Sequence, residues 1–519
     1  MITLESYLCG RWQAGKAPFV TLVDPTHEQP VAQASSEGLD LAAAVEYGRK
    51  QGGAALRALT FAQRGELLKA LSAALHERRE ELIDISIKNG GSTRGDAKFD
   101  LDGATGTLAA YAALGKKLGS QHFLVDGEGL QLGRTARFWG QHVWVTRPGV
   151  AVHINAFNFP AWGQCEKMAC ALLAGVPVIE KVGEQTAWIA YEVAKVIVGS
   201  GLLPEGSYQF IAGGPGKLLE YLGASDCVAF TGSAKTGKLV RGHQSLIERG
   251  VRVTVEADSL NAHVLAPDVA SDSGAYDQFL QNIVTDLSQK AGQKCTAVRR
   301  ILVPKERLED VLNDLKGQLE RQKLGDPAEG ETRIGALTDS RQLERAQSGI
   351  RHLAEKGRIV LGGPERARPK GAFLAPTLIV ANDAQEARFH EVEVFAPVAS
   401  VLPYDGSAAS AIDLVNRGGG GLVCALYSND DAWTESVVLG VAPWHGRVWI
   451  GSDRLAGQGL PPSLVLPQTV HGGPGRAGGG EELGGARGLE FYMQRTAIQG
   501  FQGFVQKRFG APEAPAAGQ

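Results

Sequence analysis

Between residues 61 and 88, Leu67, Leu68, Leu71, Leu75 and Leu82 fall on one stripe, with charged residues opposite. That period predicts a helix with one face against a core. Residues 39–58 and 97–118 read as helix in the same way, and residues 1–35 as short strands and turns. The pattern changes at residues 133–147, where aromatic and β-branched residues stand at strand spacing with charges among them. A hairpin is predicted there. It either finds a partner outside its own domain or forms the edge of the main sheet.

From 149 to 256 apolar runs alternate with helical ones. Strands are predicted at 149–154, 176–181, 208–212, 227–230 and 251–255, and helices at 161–174, 185–200, 215–223 and 235–249. Such alternation predicts an α/β fold, a parallel sheet with helices on both faces. Ligands of such sheets sit at the carboxyl ends of the strands. That rule selects residues 155–158, 181–184, 213–216 and 231–233, and Glu256. Residues 262–450 repeat the alternation with other lengths, as a second α/β domain would.

Composition narrows the classes. The chain has 519 residues, 44% hydrophobic, with a formal charge of −3. It can bury a large core in two or three domains, and its charge does not suggest a nucleic-acid or membrane partner. No run of about 18 apolar residues predicts a membrane span. The N-terminal segment lacks the basic and apolar regions of a signal peptide. Six irregularly spaced cysteines read as reduced thiols, so a cytoplasmic location is expected. Without a CxxC pair or a second histidine near His390-Glu391, no metal site is expected. The glycine-rich run 472–480 is followed by Leu489, Phe491 and Tyr492 and is expected to be an ordered loop across a surface or cleft. The Ala/Pro-rich end from Ala511 is expected to fray.

Several stretches carry candidate chemistry. Gly232 to Lys238 fits G-x-x-x-x-G-K after a strand and before a helix, but Leu239 stands where a P-loop needs Ser or Thr. A nucleoside triphosphatase is therefore disfavoured. A turn at a helix N-terminus still suits a phosphate, or is simply a turn. No G-x-G-x-x-G is present on the sheet. Glu256 ends a strand-like run and is either half of an ion pair or a base aimed at the crevice. Asn158, before Pro160, either caps a helix or donates to an oxyanion. Glu393 and Phe395 lie two apart on one strand face, either as surface and core or as a ribose clamp. Cys295 lies between the small-residue loop 291–294 and the apolar run 301–304. It is either a buried hydrophobe or a thiol presented to a cleft.

Together these residues resemble the aldehyde dehydrogenase superfamily over nearly the whole chain. The resemblance rests on Asn158-Phe159-Pro160, Lys181 with Glu184, Phe230-Thr231-Gly232-Ser233, Glu256, Gly292-Gln293-Lys294-Cys295 and Glu393-Val394-Phe395-Ala396-Pro397. It implies a Rossmann-like cofactor domain (1–119 and 149–256), an α/β catalytic domain (257–470) and a small β extension (120–148 and 486–505) for oligomerisation. It implies Cys295 as nucleophile, Asn158 as oxyanion donor and Glu256 as base. Phe157, Lys181, Glu184, Gly213, Thr231, Gly232, Ser233, Glu393 and Phe395 would surround a nicotinamide cofactor. A glutamate base favours release of a free acid over transfer to a thiol.

The run Glu256-Ala257-Asp258-Ser259-Leu260-Asn261, residues 471–485 and Tyr492-Met493-Gln494-Arg495 resemble one branch, which acts on CoA-linked semialdehydes in aromatic-acid breakdown. That branch implies NADP, with NAD the alternative, and a homodimer. A general medium-chain aldehyde specificity is the alternative. The chain ends at Gln519 after the dehydrogenase part, so a stand-alone enzyme is expected over a bifunctional one. Asp258 departs from the glycine usual after the base and is expected to alter the mobility of Glu256 or of the nicotinamide.

Overall fold

The computed structural model describes residues 1–510. The end expected to fray lies outside them. Two seven-stranded sheets carry the fold. The first runs Arg252–Glu256, Cys227–Thr231, Ala151–Ile154, Val178–Lys181, Tyr208–Ile211, Glu5–Leu8, Arg11–Ala14. Its first five strands are parallel, and the last two join antiparallel. These five match the expected strands, because strands buried on both faces read as apolar runs. The strand order reverses beside Ala151–Ile154. The chain first steps outward to Val178–Lys181 and Tyr208–Ile211, then returns on the other side as Cys227–Thr231 and Arg252–Glu256. A crevice opens at such a reversal.

The second sheet runs Gly357–Leu361, Thr377–Ala381, Val398–Tyr404, Arg300–Pro304, Ala262–Leu265, Gly421–Tyr427, His445–Gly451. Only Gly357–Leu361 is antiparallel to its neighbour. The second α/β unit expected after residue 262 is therefore present.

The helices depart from expectation at their ends. The run 61–88 forms two helices, Phe61–Glu77 and Arg79–Gly90, because Arg78 leaves helical geometry while the apolar period continues across it. Thr60 and Gln63 close a capping box at the start. The run 235–249 breaks at Gly242 into Ala234–Arg241 and Gln244–Glu248. Only Leu218–Tyr221 of 215–223 is helical, as a short 3-10 turn. Helix Trp162–Ala174 is buried almost all round, and its two charged residues, Glu166 and Lys167, are buried with it. Among the described residues no helix is long and apolar enough to cross a membrane.

Residues 133–137 are not strand but the bend of a longer hairpin, Phe123–Gln131 with Phe138–Thr146. This hairpin is separate from the main sheet, and its third strand is Met493–Phe501. Residues 486–505 are not all strand: Arg487–Glu490 and Gln502–Phe509 are helices. Tyr492, Trp144 and Phe491 pack into the main core instead of standing open. The exposed apolar side chains of the small sheet are Leu130, Phe138, Val145 and Phe501, with Leu132 in the bend and Phe504 on the helix that follows.

Candidate active site

Cys295 is carried by a loop with an unusual backbone. Lys290, Ala291 and Gly292 all have positive φ, at 56°, 50° and 68°. Each such non-glycine residue costs about 1–3 kcal/mol and persists only where its surroundings hold it. At Gly292 a Cβ would come within 2.4 Å of the Ala396 carbonyl oxygen, so only glycine fits. The Lys290 N–H donates to Asp96 Oδ1 at 2.9 Å. Asn261 Nδ2 donates to the carbonyls of Cys295 and Ala297, both at 2.8 Å. Arg299 donates to the carbonyls of Gly292 and Lys294. Asp286 accepts from Lys294 Nζ at 3.0 Å and from the Val298 N–H at 2.9 Å. The loop is thus fixed from several sides, and it leaves Cys295 half-buried while Cys165, Cys170, Cys227 and Cys424 are buried.

Cys295 lies between two cavities. On one side is the crevice at the strand ends of the first sheet. Phe157, Lys181, Glu184, Thr231, Gly232, Ser233, Glu393 and Phe395 line it together with Asn158, Glu256 and Cys295. On the other side Phe99, Phe159, Trp162 and Val465 form an apolar wall, with Ser463, Glu166, Lys167 and His471 beside it. The three aromatic rings pack edge to face at 5.4–6.0 Å.

Asn158 does not cap the following helix. Asp100 does, accepting the N–H groups of Ala161 and Trp162 at 3.2 and 2.8 Å. The Asn158 amide instead donates to the Gln293 carbonyl at 3.0 Å, which ties it to the cysteine loop.

Glu256 ends its strand in a buried position. Its Oε2 lies 3.0 Å from His471 Nε2, and Oε1 is buried with no hydrogen-bond partner among the described residues. The binding atoms of Glu256, Cys295 and His471 all lie within 4.8 Å of one another. Burial alone would raise the Glu256 carboxyl; the charge and hydrogen bond of His471, with Lys167 behind, hold it down at about 2. Burial, and then the Glu256 carboxylate, push the Cys295 thiol well up, so it rests protonated. Lys167 contacts both Glu166, at 3.4 Å, and Glu482, at 3.2 Å. Burial pushes the Glu166 carboxyl up to about 7, although Lys167 opposes it.

Asp258 does something the sequence did not announce. Its Oδ1 accepts the Ala234 N–H at 2.8 Å, at the start of helix Ala234–Arg241. Ser233 accepts the Thr236 N–H of the same turn. An anion arriving at this helix end meets a carboxylate already in place. Lys181 is buried, and among the described residues its only counter-charge is Glu184, at 4.0 Å. Burial lowers the lysine, and Glu184 opposes that. Gly213 stands apart from the crevice: it packs on the N-terminal segment, where a Cβ would lie 2.4 Å from the Ser36 nitrogen. Glu393 is held by Arg299 at 3.4 Å and the Ser259 N–H at 3.3 Å, and burial raises it to about 7 against the pull of Arg299. The Phe395 ring stands edge-on to Phe157 at 5.9 Å.

Sequence reasoning did not assign His471, Glu166, Lys167 or Glu482 to the site. The pair Glu166-Lys167 inside an apolar helix was the available signal, since unpaired charges are almost never fully buried.

The aldehyde dehydrogenase family model matches residues 12–498. The chain belongs to the aldehyde dehydrogenase family. It is 40% identical over 91% of its length to 3,4-dehydroadipyl-CoA semialdehyde dehydrogenase of Aromatoleum evansii, 93% of which is covered. Among solved structures, lactaldehyde dehydrogenase of Escherichia coli superposes with a TM-score of 0.84 at 21% identity, covering 96% of this chain and 99% of that one. The NAD+ complex of an aldehyde dehydrogenase from Bacillus cereus gives 0.83 at 24%, covering 96% of each. This aldehyde dehydrogenase is an oxidoreductase that acts on an aldehyde. The crevice fits a nicotinamide cofactor: it holds a weakly paired cation at Lys181 and the buried Thr231 hydroxyl, which has no hydrogen-bond partner among the described residues.

Proposed function

We propose that this aldehyde dehydrogenase oxidises a CoA-linked semialdehyde, 3,4-dehydroadipyl-CoA semialdehyde, to the free acid with NADP+. The chemistry rests on one observation: Cys295, Asn158 and Glu256 line the same two cavities. The substrate rests on the 40% identity to the Aromatoleum evansii enzyme. A general medium-chain specificity is the alternative, favoured by the apolar wall of Phe99, Phe159 and Trp162. Comparing kcat/KM for hexanal and the CoA-linked semialdehyde tests the substrate. Equal values would remove the CoA requirement.

Cys295 gives its proton to solvent in the crevice, and its sulfur bonds to the aldehyde carbon as the carbonyl π pair moves to oxygen. The oxygen of the tetrahedral adduct takes hydrogen bonds from the Asn158 amide and the Cys295 N–H. A nicotinamide held beside Glu393 and Phe395 would supply the acceptor for the hydride that leaves this carbon. A thioester then remains on Cys295, and Glu256 draws a proton from the water that hydrolyses it. Asn158→Ala lowers kcat by about 10²–10³, the usual effect of losing one oxyanion donor, with little change in cofactor affinity. Stopped-flow kinetics and cofactor titration check this. Glu256→Gln leaves a rapid burst of reduced cofactor followed by a slow steady state, because only the hydrolytic step needs the base. Undiminished steady-state turnover would remove Glu256 from that role.

Residues 1–119 and 149–256 form the cofactor domain in this reading, and 257–470 the catalytic domain. Lys181 and Glu184 hold the adenosine ribose, Thr231, Gly232 and Ser233 the pyrophosphate, and Glu393 with Phe395 the nicotinamide ribose; Phe157 backs the crevice. Gly213 positions the N-terminal segment instead of touching the cofactor. Lys181 supports NADP through its charge, whereas Glu184 suits the 2′-hydroxyl of NAD. Separate kcat/KM values for the two cofactors decide between them.

The small sheet is the homodimer contact. Phe138 is 47% exposed and Phe501 66%, and a second copy covers them. Sedimentation at micromolar concentration yields a dimer; a monomer would contradict this. A cytoplasmic location is supported by six cysteines that are all free.

A further inference from the structure

His471 enters the site from a rigid support. It lies on the strand Val470–Gly473, paired with Gly480–Leu483 in a hairpin. Glycines let this hairpin press closely on its neighbours. A Cβ on Gly472 would fall 2.0 Å from the Gly480 carbonyl oxygen, and one on Gly446 would fall 2.0 Å from the Gly472 carbonyl oxygen. The ordered glycine-rich run therefore has a physical purpose: it delivers one imidazole to the back of Glu256.

The two side chains are 3% and 2% exposed, with Nε2 and Oε2 3.0 Å apart. Among the described residues the other oxygen of Glu256 and the other nitrogen of His471 have no hydrogen-bond partner. Glu256 thus has one oxygen committed to the imidazole and one left for a reactant in a cavity it shares with Cys295. The charged groups facing His471 are Glu256 from its strand, Glu166 and Lys167 from helix Trp162–Ala174, Glu482 from the paired strand and Arg447 from His445–Gly451. Cys295 faces it from the loop.

This arrangement creates a conflict for a lone-carboxylate mechanism. A carboxylate held at about 2 by an adjacent imidazolium is a poor acceptor for a proton from water. Beside a neutral imidazole it is a better one, and the imidazole can take the proton afterwards.

We propose that the water-activating base is the Glu256–His471 pair acting as a unit, with His471 the final holder of the proton. The proposal rests on the assignment of Glu256 as base. One O–H bond of water breaks as its oxygen bonds to the thioester carbon, and the proton goes to Glu256 Oε1. The carbon–sulfur bond then breaks, releasing the acid and the Cys295 thiolate. A half-turn of the Glu256 carboxyl brings the O–H to Nε2, whose lone pair is free when neutral His471 carries its proton on Nδ1, and the proton crosses to give the carboxylate–imidazolium pair in which Oε2 and Nε2 lie 3.0 Å apart. The pair must pass this proton to solvent through the cavity that His471 lines before it can serve again.

The sign of the pH dependence follows. Burial alone would lower His471, but Glu256 more than offsets it and holds the imidazole above its ordinary value. Thioester hydrolysis is therefore lost as pH falls through that raised value and is regained above it. His471 acts through Glu256 and is a positioning residue and proton partner.

The test uses the full-length enzyme with hexanal and NADP+, comparing the unaltered protein with His471→Gln, His471→Phe and Glu256→Gln. Burst amplitude and steady-state kcat are measured from about pH 5.5 to 9, the range in which a histidine titrates. Both histidine variants keep the burst, lose at least about tenfold in kcat, and lose the rising limb of the pH profile. A His471→Gln enzyme with unchanged kcat and limb, while Glu256→Gln still stalls after its burst, overturns the pair and leaves Glu256 as sole base. Steady turnover in Glu256→Gln overturns the assignment of the base itself. Loss of the burst in both histidine variants overturns the proposal in favour of a purely structural role.

Discussion

Cys295→Ala abolishes aldehyde oxidation, with a loss of about four orders of magnitude or more, as expected when the only nucleophile of a covalent mechanism is removed. Four of the other cysteines are fully buried and Cys9 lies in the N-terminal segment, so none replaces it. The substitution leaves the loop in place, because the groups that fix it bind main chain: Asn261 holds the carbonyl of residue 295, and Arg299 those of Gly292 and Lys294. The variant is therefore expected to fold and to bind cofactor normally, yet to show neither burst nor steady state in stopped-flow measurements. A residual burst of reduced cofactor would assign the nucleophile elsewhere.

Asp286→Asn produces the largest expected loss of stability, about 3–5 kcal/mol, the cost of leaving a buried charge without its partner. Lys294 is buried, and its ammonium is held by Asp286 at 3.0 Å, with Gln289 and Ser463 beside it. The other Asp286 oxygen accepts the Val298 N–H and lies 3.6 Å from His263. Asparagine keeps the shape and removes the charge. The urea midpoint at neutral pH reads the loss, and a midpoint unchanged within error would refute it. Burial alone would raise Asp286, but Lys294 and His263 hold it below its ordinary value. A depressed carboxyl contributes stability above the unfolded-state value and loses it as pH falls through the folded one. The unaltered enzyme should therefore weaken in acid through this residue, and the variant should lack that part of the acid sensitivity. The same pair anchors the residue before Cys295, so the variant also loses burst amplitude.

Legibility differed by residue. Glu256 and Thr231 were placed at strand ends from the apolar runs before them, and the structure puts them there. Cys295 was recognisable by its company, not by its own surroundings, since a single thiol in a small-residue loop is ambiguous. Gly213 obeyed the same strand-end rule and still missed the crevice, because Ser35 and Ser36 of the N-terminal segment cover that position. Asp258 was expected to alter the mobility of Glu256 or of the nicotinamide; its bond to the Ala234 N–H at a helix end was not legible in the sequence. In the extension expected to mediate oligomerisation, Tyr492 is buried, with its hydroxyl 3.1 Å from His153 Nε2.

By itself the sequence determined the alternation of helix and strand, the parallel first sheet, the strand ends that face the crevice and the family to which the chain belongs. These follow from period and local order, which a single stretch of chain carries within it. Tertiary structure alone decided that Asp100, not Asn158, caps helix Trp162–Ala174, that Met493–Phe501 completes a sheet with Phe138–Thr146, and that His471 stands against Glu256. Each of these joins residues far apart in the chain. Local periodicity says which face of an element is apolar but not which other element meets it, so the electrostatic environment of Glu256 exists only once the hairpin of His471 has packed behind it.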